Sequence, residues 1–169
     1  MDILHIGIYS GKNLVYKESI NGNEITVDGS NSYVEIEVPA GAGRTILVVG
    51  EYNSDGRYAN YYGYNSVDLE AGENADVSIP MSYATWDGTV PGREFISNPS
   101  CGSPPYVMTW TSAGVKVRYL IIDNSGASPI IIYSGYETEY IDNVSNSYEF
   151  YVEFEDFDLR TNTYYINNC

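Results

Sequence analysis

Chemistry that needs a proton shuttle has one place to start in this chain: His5, the single histidine of 169 residues. A Ser-His-acid or Cys-His set would have to recruit it, because imidazole is the side chain that takes up and returns a proton near neutral pH. His5 lies in Leu4-His5-Ile6, which reads as a strand, and no sequence cue places a serine or cysteine beside it. It therefore reads as structural or solvent-facing. Cys101 and Cys169 are too few for a tetrahedral zinc site without further histidines. A disulfide between them would close about 68 residues and stabilise by roughly 4 kcal/mol in the chain-entropy model; two unrelated free thiols are the alternative. Gly41, Gly43 and Gly50 flank Arg44 without the lysine-serine pair and following helix of a phosphate loop. Pro39 to Gly43 reads instead as a strand-linking turn.

Paired carboxylates could hydrolyse glycosides. Glu35, Glu37, Glu149 and Glu153, however, fall at outward positions of alternating segments, the pattern of a solvated face. Glu155, Asp156 and Asp158, with Asn162 close by, form the tightest cluster and are weak Ca²⁺ candidates, because their oxygens are dense but match no calcium-loop spacing. Asp55, in Asn53-Ser54-Asp55-Gly56, reads as a turn residue. The most unusual feature is 18 tyrosines against 4 phenylalanines and 2 tryptophans. Tyr58, Tyr61, Tyr62 and Tyr64 crowd into seven residues. Neighbours on a strand face opposite ways, so Tyr61 and Tyr62 cannot both enter one core. Exposed rings offer rigid area with a polar tip for sugars or proteins. These four and Trp86 are the candidate binding residues, with wall packing, or for Trp86 a wedge between domains, as the plainer alternatives.

Composition narrows the partners. A net charge of −15 repels phosphate backbones and anionic membrane surfaces, which argues against nucleic acid and lipid headgroups. The longest apolar runs, Ile46-Leu47-Val48-Val49 and Ile130-Ile131-Ile132, are far short of a membrane span. With 43% apolar and only 18% charged residues the chain is globular rather than disordered. The segment after Met1 lacks a basic n-region, and Asp2, His5 and Gly7 break any apolar h-region. The expectation is either a cytoplasmic protein or a mature or excised piece. Scarce lysine with abundant Asn, Ser, Gly and Tyr favours the exported one. No cofactor is expected.

The elements that must position these residues read as strands. Val34, Ile36 and Val38 alternate with Tyr33, Glu35 and Glu37; Ala75, Val77 and Ile79 do the same; Tyr148, Phe150, Val152 and Phe154 alternate with Glu149, Tyr151, Glu153 and Glu155. Val115, Val117, Tyr119 and Ile121 make a further stripe. Turn pairs such as Asn21-Gly22, Asp28-Gly29, Asp55-Gly56 and Ala71-Gly72 punctuate them, and no helical period appears. The alternation stops between Tyr83 and Gly92. The predicted fold is all-β: two consecutive antiparallel β-sandwich (immunoglobulin-like) domains, 1–84 and 92–169, joined by a linker at 85–91.

The second set carries Pro104-Pro105-Tyr106-Val107-Met108-Thr109-Trp110, then Val117-Arg118-Tyr119-Leu120-Ile121-Ile122, and last Ser147-Tyr148-Glu149-Phe150-Tyr151-Val152. This order resembles a fibronectin type III domain over roughly 92–168. The resemblance implies that Trp110 is the core tryptophan, that Tyr119 packs near it, and that Tyr148 takes the tyrosine place opening the sixth strand. A Cys101–Cys169 bond would depart from most such domains and staple first strand to last. Residues 24–82, with Ser54-Asp55-Gly56, Tyr61-Tyr62-Gly63-Tyr64 and the Val67 to Ile79 hairpin, are similar to transthyretin-like sandwich modules of bacterial envelope lipoproteins. Together these imply a non-enzymatic, extracytoplasmic module of a bacterial cell-surface or secreted protein, acting by spacing, adhesion or protein contact. The alternative is a carbohydrate-binding module using the exposed Tyr and Trp residues.

Overall fold

A computed structural model describes residues 1–52, 58–84, 95–96, 106–142 and 147–166. The described residues are all-β apart from two single 3-10 turns, Gly22–Glu24 and Glu155–Phe157. It divides into two compact units, Met1–Ala84 and Thr85–Cys169. Among the described residues no helix is long and apolar enough to cross a membrane.

In the first unit β1 (Ile3–Ser10), β2 (Asn13–Asn21), β5 (Gly41–Tyr52) and β6 (Tyr58–Leu69) form an antiparallel sheet in the order β6-β5-β1-β2, with β7 (Ser82–Tyr83) added to β6. A small hairpin, β3 (Thr26–Asp28) and β4 (Asn31–Tyr33), turns at Gly29, where φ is 61° and glycine carries no steric cost. The register sets Ile6 opposite Val48 and Ile8 opposite Ile46, so Leu4, Ile6, Ile8, Ile20, Ile46 and Val48 share one face and bury it. Each such side chain contributes about 1.5–3 kcal/mol of burial. The opposite face is buried too, at His5, Leu47, Val49 and Tyr62. The near-continuous apolar runs of β1 and β5 are the sequence record of that two-sided burial.

Two expected strands are absent. Residues 34–40 and 70–81 form no ladder. Their alternation does other work: Ile36, Val38, Val77 and Ile79 pack onto the aliphatic face while their polar neighbours point away. Asn65 donates from Nδ2 to the Ser78 carbonyl at 3.0 Å, pinning one of these coverings, and Gly63 leaves room for the Pro80 carbonyl, which a Cβ would strike. Pro39 to Gly43 is not wholly a turn. β5 begins at Gly41, and a bulge between Gly41 and Arg44 places Gly43 at φ 59°.

In the second unit β10 (Arg118–Asp123), β11 (Ile130–Gly135) and β13 (Tyr148–Phe154) pair in the order β11-β10-β13. β14 (Leu159–Arg160) and β15 (Tyr164–Ile166) pair with opposite ends of β13. β8 (Phe95–Ile96), β9 (Tyr106–Trp110) and β12 (Glu139–Asp142) make a separate sheet in the order β12-β9-β8. Residues 111–117 are irregular, so the Val115 stripe becomes a strand only at Arg118. Val117, Tyr119 and Ile121 are nonetheless buried.

The core here is aromatic. The Trp110 ring lies 5.5 Å from Tyr119, 5.1 Å from Phe150 and 5.8 Å from Tyr133, centroid to centroid. The Tyr119 hydroxyl accepts the buried Ala113 N–H at 2.8 Å, and burial raises the Tyr119 pKa above the ordinary tyrosine range against that bond. Tyr148 is fully buried and its hydroxyl hydrogen-bonds the Asp142 carboxylate.

Candidate functional site

The β5-β6 pair builds the first candidate surface. A bulge follows Gly50, so Gly50 faces Tyr61, Glu51 faces Ala59 and Tyr52 faces Tyr58. Tyr61 in turn lies across from Tyr83 of β7. This register gathers Tyr52, Tyr61 and Tyr83. The Tyr61 ring centroid stands 4.6 Å from that of Tyr83 and 6.1 Å from that of Tyr52, with the planes tilted by 34° and 53°. Tyr83 is 59% exposed and Tyr52 38% exposed. A Cβ at Gly50 would sit 2.7 Å from the Met1 sulfur, so the missing side chain lets Met1 lie beside Tyr61. A hydrogen bond to the Tyr83 side chain, aided by burial and by the neighbouring Tyr83 and Tyr52 hydroxyls, pushes the Tyr61 pKa up to about 12.

The candidate binding residues divide accordingly. Tyr61 joins the surface cluster. Tyr62, its neighbour on the strand, is 2% exposed and belongs to the buried face, which removes it from the binding set. Tyr58 is half-buried and Tyr64 exposed; Tyr64 lies opposite Leu47, on the Tyr62 side of β6. Trp86, Asp55, Cys101 and Cys169 lie outside the described residues. Tyr52 and Tyr83 escaped the sequence reading because no local spacing links them: one ends β5, and the other belongs to a two-residue strand.

The acidic cluster resolves into ion pairs. Glu155 accepts from the Tyr136 hydroxyl at 2.9 Å and lies 3.4 Å from the Arg118 guanidinium, which is also bonded to Glu153. Asp156 lies 3.2 Å from Lys116. The hydrogen bond to Glu153 is the main cause of the raised Arg118 pKa. Asp158 closes the 3-10 turn at φ 54°. Glu155 and Asp156 face separate cations, Arg118 and Lys116, and among the described residues no group of three or more His, Cys, Asp or Glu could hold a metal ion.

A second constellation was not legible in the sequence. The β1-β2 register sets His5 opposite Ser19. His5 Nδ1 lies 2.8 Å from Ser19 Oγ, and His5 Nε2 lies 2.7 Å from Glu51 Oε2. His5 and Glu51 are 4% and 2% exposed, while Ser19 is open to solvent. The hairpin at Gly11-Lys12 is the one local signal that could have brought Ser19 to His5. The bulge between Ile8 and Tyr9, which sets the pairing, is invisible in residue types.

Fold and surface together define an all-β protein with an exposed tyrosine cluster and a buried His-Glu pair. No family model, no curated protein and no solved structure matches the chain.

Proposed function

We propose that the chain is an extracytoplasmic contact module of a bacterial surface or secreted protein. It would comprise two immunoglobulin-like β-sandwich domains, the second fibronectin type III-like, that engage a protein partner through Tyr52, Tyr61 and Tyr83. The observation that carries this reading is the gathering of half-buried Tyr61 with two exposed rings, Tyr52 and Tyr83. Tyrosines offer rigid, amphipathic area at small entropic cost, the property of interface anchors. The tilts between the rings deny a single flat stacking plane and favour a protein surface over a sugar face. The charge of −15 adds electrostatic attraction toward a basic partner.

The test is binding of the labelled chain to intact bacterial cells. Saturable binding that survives periodate oxidation of glycans, is lost after protease treatment, and weakens roughly tenfold or more in a Tyr61→Ser, Tyr83→Ser double variant supports the reading. Binding lost to periodate but not to protease assigns the surface to carbohydrate. Binding unchanged in the folded double variant removes the site.

A further inference from the structure

His5, Glu51 and Ser19 have an arrangement that a contact module does not require. A carboxylate and an imidazole buried in a sheet are costly to desolvate, and they persist only where each is hydrogen-bonded. Glu51 and His5 hydrogen-bond each other, and the other ring nitrogen of His5 meets a solvent-exposed hydroxyl. An ionised carboxylate only accepts, so Glu51 draws the proton of a neutral imidazole to Nε2. That leaves the Nδ1 lone pair directed at Ser19 Oγ, which then donates. Buried acid, oriented base and accessible hydroxyl are the three roles of an activated nucleophile, recognised by geometry rather than chain order.

We propose that Ser19 is a nucleophile activated by His5 and positioned through Glu51, and that it accepts small acyl groups from activated esters. As Ser19 Oγ attacks the ester carbonyl carbon, its proton passes to His5 Nδ1 and the imidazolium is stabilised by Glu51. Collapse of the tetrahedral intermediate breaks the bond to the leaving oxygen, which departs as an alcohol with the proton from Nδ1. Water then attacks the acyl-serine, giving its proton to Nδ1, and the carboxylic acid leaves as Oγ regains a proton. Among the described residues β2 pairs with β1 alone. Alternate N–H groups along β2, Ser19's own or those of Glu18 and Ile20, therefore face the open edge and can take the developing oxyanion. This inference is independent of the tyrosine surface, and either can fail without the other.

The experiment treats the whole chain with a small fluorophosphonate, which phosphorylates an activated serine with loss of fluoride, and maps the adduct by peptide mass. The expected result is one adduct on Ser19, absent in Ser19→Ala. His5→Gln should slow it by about 10²-fold, and Glu51→Gln by a smaller factor that Glu51→Asp partly restores, each with an unchanged circular dichroism spectrum. Because His5 is the only histidine, its imidazole ¹⁵N shifts at mildly alkaline pH report the tautomer without assignment, and they should show Nε2–H. No adduct on Ser19 in the unsubstituted chain overturns the proposal even if the core variants fail to fold. So does an unaltered rate in folded His5→Gln, or an Nδ1–H tautomer.

Discussion

The two units build their interiors from different materials. In Met1–Ala84 one face of the sheet buries an aliphatic cluster, and Tyr52, Tyr61 and Tyr83 gather outside it. In Thr85–Cys169 one tryptophan is the hub of a ring cluster that includes Tyr119, Tyr133 and Phe150. Aliphatic side chains in register need long paired strands, and β5 and β6 supply twelve residues each. The second unit has no strand longer than seven among its described residues. There a few large rings must bury what short strands cannot. The same residue type thus fills the ring cluster around Trp110 in one unit and forms the Tyr52-Tyr61-Tyr83 surface in the other.

The sharpest break of this comparison is Trp110→Ala. It removes the hub from three ring contacts and should destabilise the second unit by about 3–5 kcal/mol in denaturant titrations. Ile8→Ala empties a fully buried aliphatic position and should cost about 2–5 kcal/mol, with Ile8→Val costing about 0.5–1.5. A hub dependence requires the tryptophan effect to exceed the isoleucine one; the reverse order would dissolve the contrast. Tyr119→Phe keeps the ring but removes the hydroxyl that accepts the buried Ala113 N–H, at about 1–3 kcal/mol. Guanidinium midpoints followed by circular dichroism separate these three.

The smallest effects belong to the surface cluster. Tyr83→Phe should move thermal stability little, within about 0.5 kcal/mol, because exposed substitutions seldom do more. It should instead change a titration. Tyr61 ionises at about 12 when folded, and an unfolded tyrosine ionises near 10. The folded state therefore favours the protonated phenol. This contribution to stability is full below the unfolded pKa and is lost as pH rises through the folded one. Selective ¹³Cζ labelling should show Tyr61 titrating late, and Tyr83→Phe should bring it back toward the ordinary range. A titration at the ordinary value in the unsubstituted chain would mean that the Tyr61–Tyr83 bond does not form in solution.

Strand class was written into the residues, because period-two alternation and turn pairs are local properties. The inward set Tyr148, Phe150, Val152 and Phe154 could be read directly, as could the turn at Asp28-Gly29. Ladder partners could not. The alternating segments at 34–38 and 75–79 look like strands by pattern yet lie as coverings on the aliphatic face, because alternation reports which side is dry and not which backbone is paired. Likewise, the crowding of Tyr58, Tyr61, Tyr62 and Tyr64 marked the right strand. Only the bulge after Gly50 and the pairing with β7 decided with which distant rings Tyr61 gathers.

By itself the sequence determined an all-β chain, its acidity and the inward sets Tyr148, Phe150, Val152, Phe154 and Val117, Tyr119, Ile121. These follow from side-chain polarity and strand period, which need no knowledge of distant partners. Tertiary structure alone decided that Ser19 and Glu51 meet His5, and that Tyr52 and Tyr83 meet Tyr61. Cross-strand neighbours are fixed by register, and a single bulge shifts that register by one residue and exchanges the side chains that face one another.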